Sequence, residues 1–316
     1  METISKTDYY CTAAMDDWGA NGLLSLSRCL VLDHDQIYLN DLHNQRMFVV
    51  DKDLHYINQF GGMGQGPGEM IYTNYFYVYE DKVYVHDSGA RKILVFSRDG
   101  QFQESFPLNL DAGMSRFTIA DNTLFISTPW EETPIKGFDL MGEHRLSFGN
   151  LRKKPTPTEQ WAANTAHLAK IMQAGEPRMV AVLAGEPFID LYTFEEQFIT
   201  TYDLSHIDHI RRRIIHRKEA LQQDPQKKAS MFGFFGDIYV HENTLYVLVI
   251  GESGTGFDTI LRLELTGNEA YVTQEISLVC DQPNFYALGF CVGANERLTV
   301  FEGISRQLVV FTPDGS

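Results

Sequence analysis

The sequence predicts an all-β fold in which a unit of four short strands is repeated around a ring. The first observation is a pattern that occurs twice between residues 37 and 100. Each copy has a β-rich run, a turn preceded by aspartate, a second β-rich run and an Asp or Asp-Gly turn. Asp41 and Asp87 occupy equivalent places 46 residues apart, as do Asp53 and Asp99. A period of about 40–50 residues is typical of propeller blades. Similar patterns recur along the chain, which predicts a six-bladed β-propeller.

Six blades are predicted in chain order from the strand and turn patterns. Their expected ranges are 28–60, 74–106, 116–148, 178–204, 237–278 and from residue 286 onward. Only three strands of the sixth blade fit the remaining sequence, which would leave an exposed strand edge. The segment before residue 28 is therefore expected to supply the fourth strand, through residues 8–13 or 23–26. This closure would make residues 1–316 a single propeller domain.

Two segments interrupt the β pattern and are predicted to be helical insertions. Residues 158–175 have apolar side chains at helical spacing, and residues 205–229 have suitably spaced isoleucines. Both fall between the last strand of one blade and the first strand of the next, as does the glycine-rich segment 61–68. Such connections share one face of a propeller. Because inserted elements on one face of a repeat ring commonly carry function, ligand binding is expected there.

Charge and hydropathy exclude some classes of partner. The formal net charge of −16 argues against nucleic acid and against docking on anionic membranes. The sequence has no apolar run long enough for a transmembrane helix, and its start lacks the apolar region of a signal peptide. Its four cysteines lack the CxxC spacing of a zinc knuckle and are expected to be buried free thiols.

The most unusual local sequence is Phe-Gly-Gly-Met-Gly-Gln-Gly-Pro-Gly-Glu at residues 60–69. A phosphate-binding loop would lead into a helix, whereas this segment leads into a predicted strand, which favours a connector that needs positive φ angles. Together with the Val-Phe-x-x-Asp-Gly and Val-Phe-x-Pro-Asp-Gly turns, it resembles the TolB-like and NHL-like six-bladed propellers of Bacteroidetes-type bacteria. That resemblance implies a six-bladed propeller in the periplasm or at the cell surface. The sequence departs from the resemblance in having no lipobox or export signal and in its two helical insertions.

The leading functional prediction is a non-enzymatic binding or scaffold protein, with no cofactor and no catalytic residue assigned. Its ligand would be a protein, a peptide or a carbohydrate, because aromatic and arginine side chains at a propeller mouth suit such ligands. An open alternative is that some of the aromatic side chains only pack the helices onto the ring. The candidate ligand-binding residues are Tyr72, Tyr75, Arg116, Trp130, Trp161, Arg178, Phe234, Phe235 and Phe285.

The alternative function is a metal-dependent hydrolase or lyase, similar to lactonase propellers that hold a divalent cation such as calcium on the channel axis. Its candidate ligands are Asn74, Asp237 and Asn284, which lie near the expected starts of innermost strands. The expected innermost strands are otherwise mostly apolar, and no histidine has a recognised metal-ligand spacing. Enzymatic activity is therefore left open, with the binding protein favoured.

Overall fold

The structure is a computed structural model that describes residues 4–15, 25–110, 112, 115–224, 233–251, 258–267, 269–281 and 285–313. Within these ranges the strands form six blades of four, so the predicted six-bladed β-propeller is confirmed. In each of the first five blades the strands follow one another in chain order from the axis outward. The last blade differs because its outermost strand comes from the N-terminal part of the chain.

The six blades divide the strands as follows. Blade 1 contains β2 (Leu30–Asp33), β3 (Gln36–Asp41), β4 (Arg46–Asp51) and β5 (Tyr56–Gly61). Blade 2 contains β6 (Thr73–Tyr79), β7 (Lys82–Asp87), β8 (Lys92–Ser97) and β9 (Phe102–Pro107). Blade 3 contains β10 (Thr118–Ala120), β11 (Thr123–Ser127), β12 (Ile135–Asp139) and β13 (His144–Phe148). Blade 4 contains β14 (Ala166–Gln173), β15 (Glu176–Leu183), β16 (Phe188–Tyr192) and β17 (Phe198–Asp203). Blade 5 contains β18 (Phe235–His241), β19 (Thr244–Val249), β20 (Thr259–Thr266) and β21 (Glu269–Val279). Blade 6 contains β22 (Ala287–Val292), β23 (Leu298–Glu302), β24 (Gln307–Thr312) and β1 (Ser5–Met15).

The N-terminal strand β1 closes the ring. It pairs antiparallel with β24, with Tyr10 opposite Thr312 and Met15 opposite Leu308. It also pairs in parallel with β21, so blades 5 and 6 form one eight-stranded sheet. The predicted donor 8–13 is therefore confirmed. Of the other predicted donor, residues 25 and 26 are not in a strand, and residues 23 and 24 lie outside the described residues.

The core lies between neighbouring blades, and this explains the composition of the middle strands. After its first residue, β7 is buried throughout, and β3 shows the same pattern. Both faces of such a strand pack against adjacent blades, so it has a continuous apolar run instead of strict alternation. The outermost strands, such as β9, are mostly exposed apart from one or two apolar side chains.

An acidic residue at the end of the second strand ties several blades to the connection before them. In blade 2, the Asp87 carboxylate accepts hydrogen bonds from the backbone N–H groups of Ile71 and Tyr72, at 2.9 and 3.0 Å. Asp41 and Glu302 occupy the same place in blades 1 and 6, where they accept hydrogen bonds from Ser25 and Tyr286. The repeated aspartate is therefore structural, because it fixes the connection that precedes its blade.

The glycine-rich connector after blade 1 closes around its own glutamate. The Glu69 carboxylate accepts the Gly66 N–H at 2.7 Å. A Cβ on Gly64 would lie 2.0 Å from that carboxylate, so any larger residue would displace it. The connector continues into strand β6 and not into a helix, which supports its interpretation as a structural link.

The first helical insertion is shorter than predicted. Helix α1 spans Pro157–Asn164 and not 158–175, because residues 166–173 form strand β14. Blade 4 therefore begins at residue 166, and the segment from residue 178 belongs to its second strand. The error has a physical cause: β14 is an innermost strand with protein on both faces, so its apolar residues do not alternate and also fit a helical spacing.

The second helix, α2, spans Asp208–Gln223, inside the predicted range 205–229, of which residues 225–229 lie outside the described residues. Like α1, it connects the last strand of one blade to the first strand of the next, so the two helices lie on one face of the ring. No helix among the described residues is long and apolar enough to cross a membrane.

Candidate functional site

The axial channel is bounded by the six innermost strands, β2, β6, β10, β14, β18 and β22, which contact one another in sequence around the ring. Each of these strands starts at the face that carries α1 and α2. Side chains at the strand starts therefore point toward the helix-bearing end of the channel, and side chains near their ends line the opposite end.

A buried ion pair closes the channel between these two ends. Arg116, directly before β10, donates from Nε and Nη2 to the two carboxylate oxygens of Asp237 in β18, at 2.5 and 2.8 Å. Nη2 also reaches the backbone carbonyls of Leu30 and Phe290, at 3.1 and 3.4 Å. One guanidinium thus links blades 3, 5, 1 and 6. Burial disfavours its charge, but the adjacent Asp237 outweighs this effect, and the pKa of Arg116 is raised.

A cavity of about 260 Å³ lies at the helix-bearing end of the channel, and we call it the mouth cavity. The residues that line it come from innermost strands, from α1 and from connections on the same face. Its lining consists of Arg28, Tyr75, Trp161, Ala162, Thr165, His167, Ala184, Gly185, Gly233, Phe235, Gly236, Tyr286 and Leu288.

Helix α1 places an aromatic wall beside the mouth cavity. The Thr156 hydroxyl caps the helix by accepting the Glu159 N–H at 3.3 Å, and Pro157 follows at the first helical position. The helix packs closely on the blade 4 loop because a Cβ at Gly185 would lie 2.3 Å from the Ala162 carbonyl oxygen. This packing directs Trp161 to the cavity. Outside it, Trp161 stacks on Trp130, with ring centroids 6.4 Å apart and planes tilted by 32°.

Two nearly buried polar side chains face the mouth cavity without a full set of partners among the described residues. Tyr75 is 4% exposed, and its hydroxyl has no hydrogen-bond partner among the residues that the structure describes. His167 is 2% exposed, and its Nδ1 accepts the Arg116 backbone N–H at 3.2 Å. Burial, together with Arg116, lowers the pKa of His167 to about 3, so the ring is neutral. Because Nδ1 is an acceptor, we assign the ring proton to Nε2.

Arg28 supplies a cationic group at the edge of the mouth cavity. Within the described ranges, its side chain forms no hydrogen bond and no ion pair. Burial raises the pKa values of Tyr75 and Tyr286, and Arg28 partly offsets both shifts, which places its charge near the two rings. The backbone of Arg28 packs against β22, where a Cβ at Gly289 would lie 2.7 Å from the Arg28 carbonyl carbon.

The structure brings together only some of the predicted ligand-binding residues. Tyr75, Trp161 and Phe235 line the mouth cavity, and Trp130 contacts it through Trp161. Tyr72 is 49% exposed, but it lies in the connector before blade 2 and outside the cavity lining.

Four other predicted residues have different positions. Arg116 is engaged with Asp237 in closing the channel. Phe234 is buried in the apolar cluster that contains Ile210 of α2, and Phe285 packs on Phe311 with ring centroids 5.4 Å apart. Arg178 lies outside the mouth cavity: it pairs with Ile171 near the end of β14, away from α1.

The residues proposed as metal ligands do not form an open site as they stand. Both carboxylate oxygens of Asp237 are bonded to Arg116, so a divalent ion there would have to displace a guanidinium. The Asn74 side chain donates to the Ser88 hydroxyl at 3.3 Å, and Asn284 lies outside the described residues. Over the described part of the chain, no group of three or more His, Cys, Asp or Glu residues is arranged to hold a metal ion.

Sequence reasoning missed several residues of the mouth cavity, among them Arg28, His167 and Tyr286. His167 falls within the predicted helix, so its position in an innermost strand was hidden. Arg28 and Tyr286 each stand just before the first strand of a blade. This position in the blade could have been used to predict them, because residues just before the first strand of a blade face the channel entrance.

Comparison with known proteins supports the fold. A family model described as a 6-bladed beta-propeller matches residues 21–129, about a third of the chain. No curated protein matches the sequence significantly. A putative exported protein from Bacteroides fragilis superposes with a TM-score of 0.58 at 13% identity, covering 94% of this chain and 88% of the other.

Two further solved structures are similar. Virginiamycin B lyase from Staphylococcus aureus, in a catalytically inactive form with quinupristin, has a TM-score of 0.56 at 12% identity, with 91% of this chain and 81% of the other covered. A structure of U3-55K has a TM-score of 0.54 at 10% identity, with 92% and 95% covered. These identities are too low to transfer activity or partners. Together with the six blades observed, the matches show that the chain has the six-bladed β-propeller fold.

Proposed function

We propose that this protein is a non-enzymatic binding propeller that recognises a protein, peptide or glycan at its helix-bearing face, with the mouth cavity as the recognition site. The observation that carries the proposal is the mouth cavity itself. It combines aromatic side chains with polar groups that have no partner in the described part of the chain, above a channel closed by Arg116 and Asp237. The resemblance of residues 60–69 to TolB-like and NHL-like propellers supports assigning the protein to that type.

The dimensions of the cavity favour recognition of a small part of a larger ligand. A volume of about 260 Å³ is slightly below the ~300–1,000 Å³ usual for drug-sized ligands. One residue or one sugar ring fits, and the remainder of the ligand would extend over the exposed surface beside the cavity. Trp130, 47% exposed and stacked on Trp161, provides an aromatic platform for that extension.

The contacts of Asp237 favour the binding protein over a hydrolase or lyase with an axial divalent ion. The carboxylate that would hold such an ion is neutralised by Arg116. Elemental analysis of the purified protein before and after chelation, with the melting temperature followed in parallel, tests this alternative. A stoichiometric divalent ion whose removal lowers the melting temperature would favour the enzyme.

The direct test is a screen of peptide and glycan arrays, followed by calorimetric titration of the strongest ligand. Trp161→Ala is expected to weaken binding by about tenfold or more, because it removes the wall of the cavity. Met141→Ala is the control, because Met141 is 79% exposed in a turn at the opposite end of blade 3. Equal affinities for the wild type and Trp161→Ala, with unchanged folding, would remove the mouth cavity as the binding site.

A further inference from the structure

The polar groups of the mouth cavity are predominantly hydrogen-bond donors. Arg28 offers a guanidinium, the neutral His167 offers Nε2–H, and the Tyr75 hydroxyl can donate or accept. Three nearby carbonyl oxygens already accept hydrogen bonds: the Thr165 carbonyl accepts from Ala184, the Ala184 carbonyl accepts from Phe234, and the Trp161 carbonyl accepts from Thr165. A ligand group that only accepts hydrogen bonds therefore matches this cavity best.

The lining also includes the Tyr286 hydroxyl, the Thr165 hydroxyl, which donates to the Trp161 carbonyl, and an apolar part. Trp161, Ala162, Phe235 and Leu288 surround the polar groups. A sugar ring carries several hydroxyl groups, each of which needs an acceptor as well as a donor. An apolar side chain next to a carboxylate needs donors and apolar contacts only, and this combination occurs at the C-terminus of a peptide.

We propose that the mouth cavity binds the C-terminal residue of a peptide, with the terminal carboxylate on Arg28, Tyr75 and His167 and an apolar side chain against Trp161 and Phe235. The proposal rests on the binding function proposed above and names its ligand class. The acidic composition of the protein adds specificity, because an anion is repelled by a surface of net charge −16 except where a cation is presented to it.

The test compares two peptide libraries that differ only at the C-terminus, one with free carboxylates and one amidated. We expect binders in the free-acid library, with the amidated version of each binder weaker by about 10- to 100-fold because a charge-assisted contact is lost. Arg28→Met should weaken the free acid to a similar degree, and Arg28→Lys should retain part of the affinity. Arg178→Met is the matched control, because it removes an arginine from the second strand of blade 4, outside the lining of the mouth cavity and near the opposite face of the ring.

The outcomes separate this proposal from the binding function on which it rests. If the free-acid and amidated peptides bind equally and Trp161→Ala weakens the binding of both, the mouth cavity is the binding site but recognition of the carboxylate is overturned. If Trp161→Ala changes neither, the mouth cavity fails as a binding site. If glucuronate binds with an Arg28-dependent affinity and no free-acid peptide does, a glycan ligand replaces the peptide.

A second inference comes independently from the two cysteines beside the ring closure. Strands β1 and β21 are parallel partners up to Tyr10 and Val279, so the next residues in register are Cys11 and Cys280. Both thiols are free. Cys11 is exposed and Cys280 is only partly buried, contrary to the burial expected for all four cysteines, because Cys11 lies in an outermost strand; Cys29 and Cys291 are buried as expected. Adjacent strands are about 4.8 Å apart, within the Cα separation that a disulfide allows.

We infer that Cys11 and Cys280 form a cross-link site that locks the closing strand when a small disulfide oxidant is present. The thiolate of one cysteine attacks oxidised glutathione and releases one reduced glutathione. The second thiolate then attacks the mixed disulfide and releases another. Two protein thiols thus lose two protons and two electrons, which one oxidised glutathione accepts as two thiols. Although Cys11 is exposed as a residue, partial desolvation of its thiol and the neighbouring Cys280 raise its pKa to about 11, so mildly alkaline buffer will speed the exchange.

The test is incubation of the folded protein with oxidised glutathione, followed by peptide mapping without reductant and thermal melting. We expect a peptide pair joined through Cys11 and Cys280, and a melting temperature higher by about 5 °C because a very long loop is closed. Reductant should reverse the shift, and Cys11→Ser should abolish it. A stable glutathione adduct on Cys11 with no cross-link would overturn the inference.

Discussion

The two ends of the axial channel have cavities of similar size but different polar chemistry. The mouth cavity of about 260 Å³ is matched at the opposite end by one of about 220 Å³, which we call the opposite cavity. Its lining consists of Val31, Leu32, Asp33, Tyr77, Val78, Arg116, Phe117, Leu168, Ala169, Lys170, Ile238, Tyr239 and Val240.

The clearest difference lies in the contacts of Tyr239 and Asp33 in the opposite cavity and of Tyr75 and Arg28 in the mouth cavity. In the opposite cavity, the Tyr239 hydroxyl accepts from the Leu32 N–H and donates to the Leu32 carbonyl, at 3.2 and 3.3 Å. Asp33 pairs with Arg98 at 3.0 Å. In the mouth cavity, Tyr75 and Arg28 have no such partners among the described residues. Satisfied polar groups hold a structure together, whereas unsatisfied groups are available to a ligand, so volume alone does not identify the site.

The largest expected effect comes from the ion pair that separates the two cavities. Arg116→Met leaves the Asp237 carboxylate buried without its counter-charge and should lower the free energy of unfolding by about 3–5 kcal/mol. Denaturant unfolding followed by circular dichroism measures the loss. The double variant Arg116→Met, Asp237→Leu should recover most of it. A single variant as stable as the wild type would contradict the structural role of this pair.

The next prediction concerns the pH dependence of stability that arises from His167 at the mouth cavity. His167 is neutral when folded, with a pKa lowered to about 3, whereas its ordinary value is 6.5. Below pH 6.5 the unfolded chain binds a proton that the folded protein does not, so stability falls as the pH drops toward 4, by about 3 kcal/mol from this residue. The His167→Asn variant should lose stability less steeply between pH 7 and pH 4. Identical slopes for both proteins would refute the assignment of a neutral, buried His167.

A smaller effect compares one tyrosine from each cavity directly. Tyr239→Phe removes two hydrogen bonds to Leu32 and should cost about 1–2 kcal/mol of unfolding free energy. Tyr75→Phe removes a hydroxyl that has no partner within the described ranges and should change stability by less than about 0.5 kcal/mol. Chemical unfolding of the two variants in parallel measures both values. A larger loss of stability in Tyr75→Phe than in Tyr239→Phe would contradict the hydrogen bonding described for the two cavities.

The last prediction concerns the cap of helix α1, which lies beside the mouth cavity. Thr156→Ala removes the cap of α1 and should cost about 0.5–1 kcal/mol, with a local change around Trp161 visible in tryptophan fluorescence. Thr156→Ser, which keeps the hydroxyl, serves as the control. A fluorescence spectrum that stays the same in Thr156→Ala would mean that the cap does not position Trp161.

The fold was predictable from the sequence wherever the blade pattern is regular. Repeated aspartates at the ends of second strands, followed by an Asp turn in blade 1 and an Asp-Gly turn in blade 2, mark these two blades, and the missing strand of blade 6 pointed to the N-terminal segment. Blade 4 was misplaced because β14, AHLAKIMQ, is buried in an irregular pattern that fits a helix as well as a strand. Hydrophobic periodicity does not distinguish a strand from a helix in a segment such as β14, because both faces of this innermost strand contact protein.

The candidate site was predictable only in its residue types. Aromatic side chains in connections gave Tyr75 and Trp161, because stacking side chains near a propeller face are recognisable as such. The same reasoning grouped them with Arg178, since the sequence does not show which end of a strand is on which face. Arg116 stood out by its charge, but only the structure shows that Asp237 neutralises it.

The position of β1 has a consequence for how the protein is made on the ribosome. Tyr10 pairs with Thr312, so the strand is synthesised some three hundred residues before its partner. At about 5–20 residues per second, it waits on the order of 15–60 seconds with both of its edges unpaired. The composition of β1 lowers the risk of aggregation during this time. Only Tyr9 is fully buried in the finished ring, and most of the other side chains of the strand are exposed. A more apolar closing strand would pack better but would be a greater aggregation hazard in the growing chain.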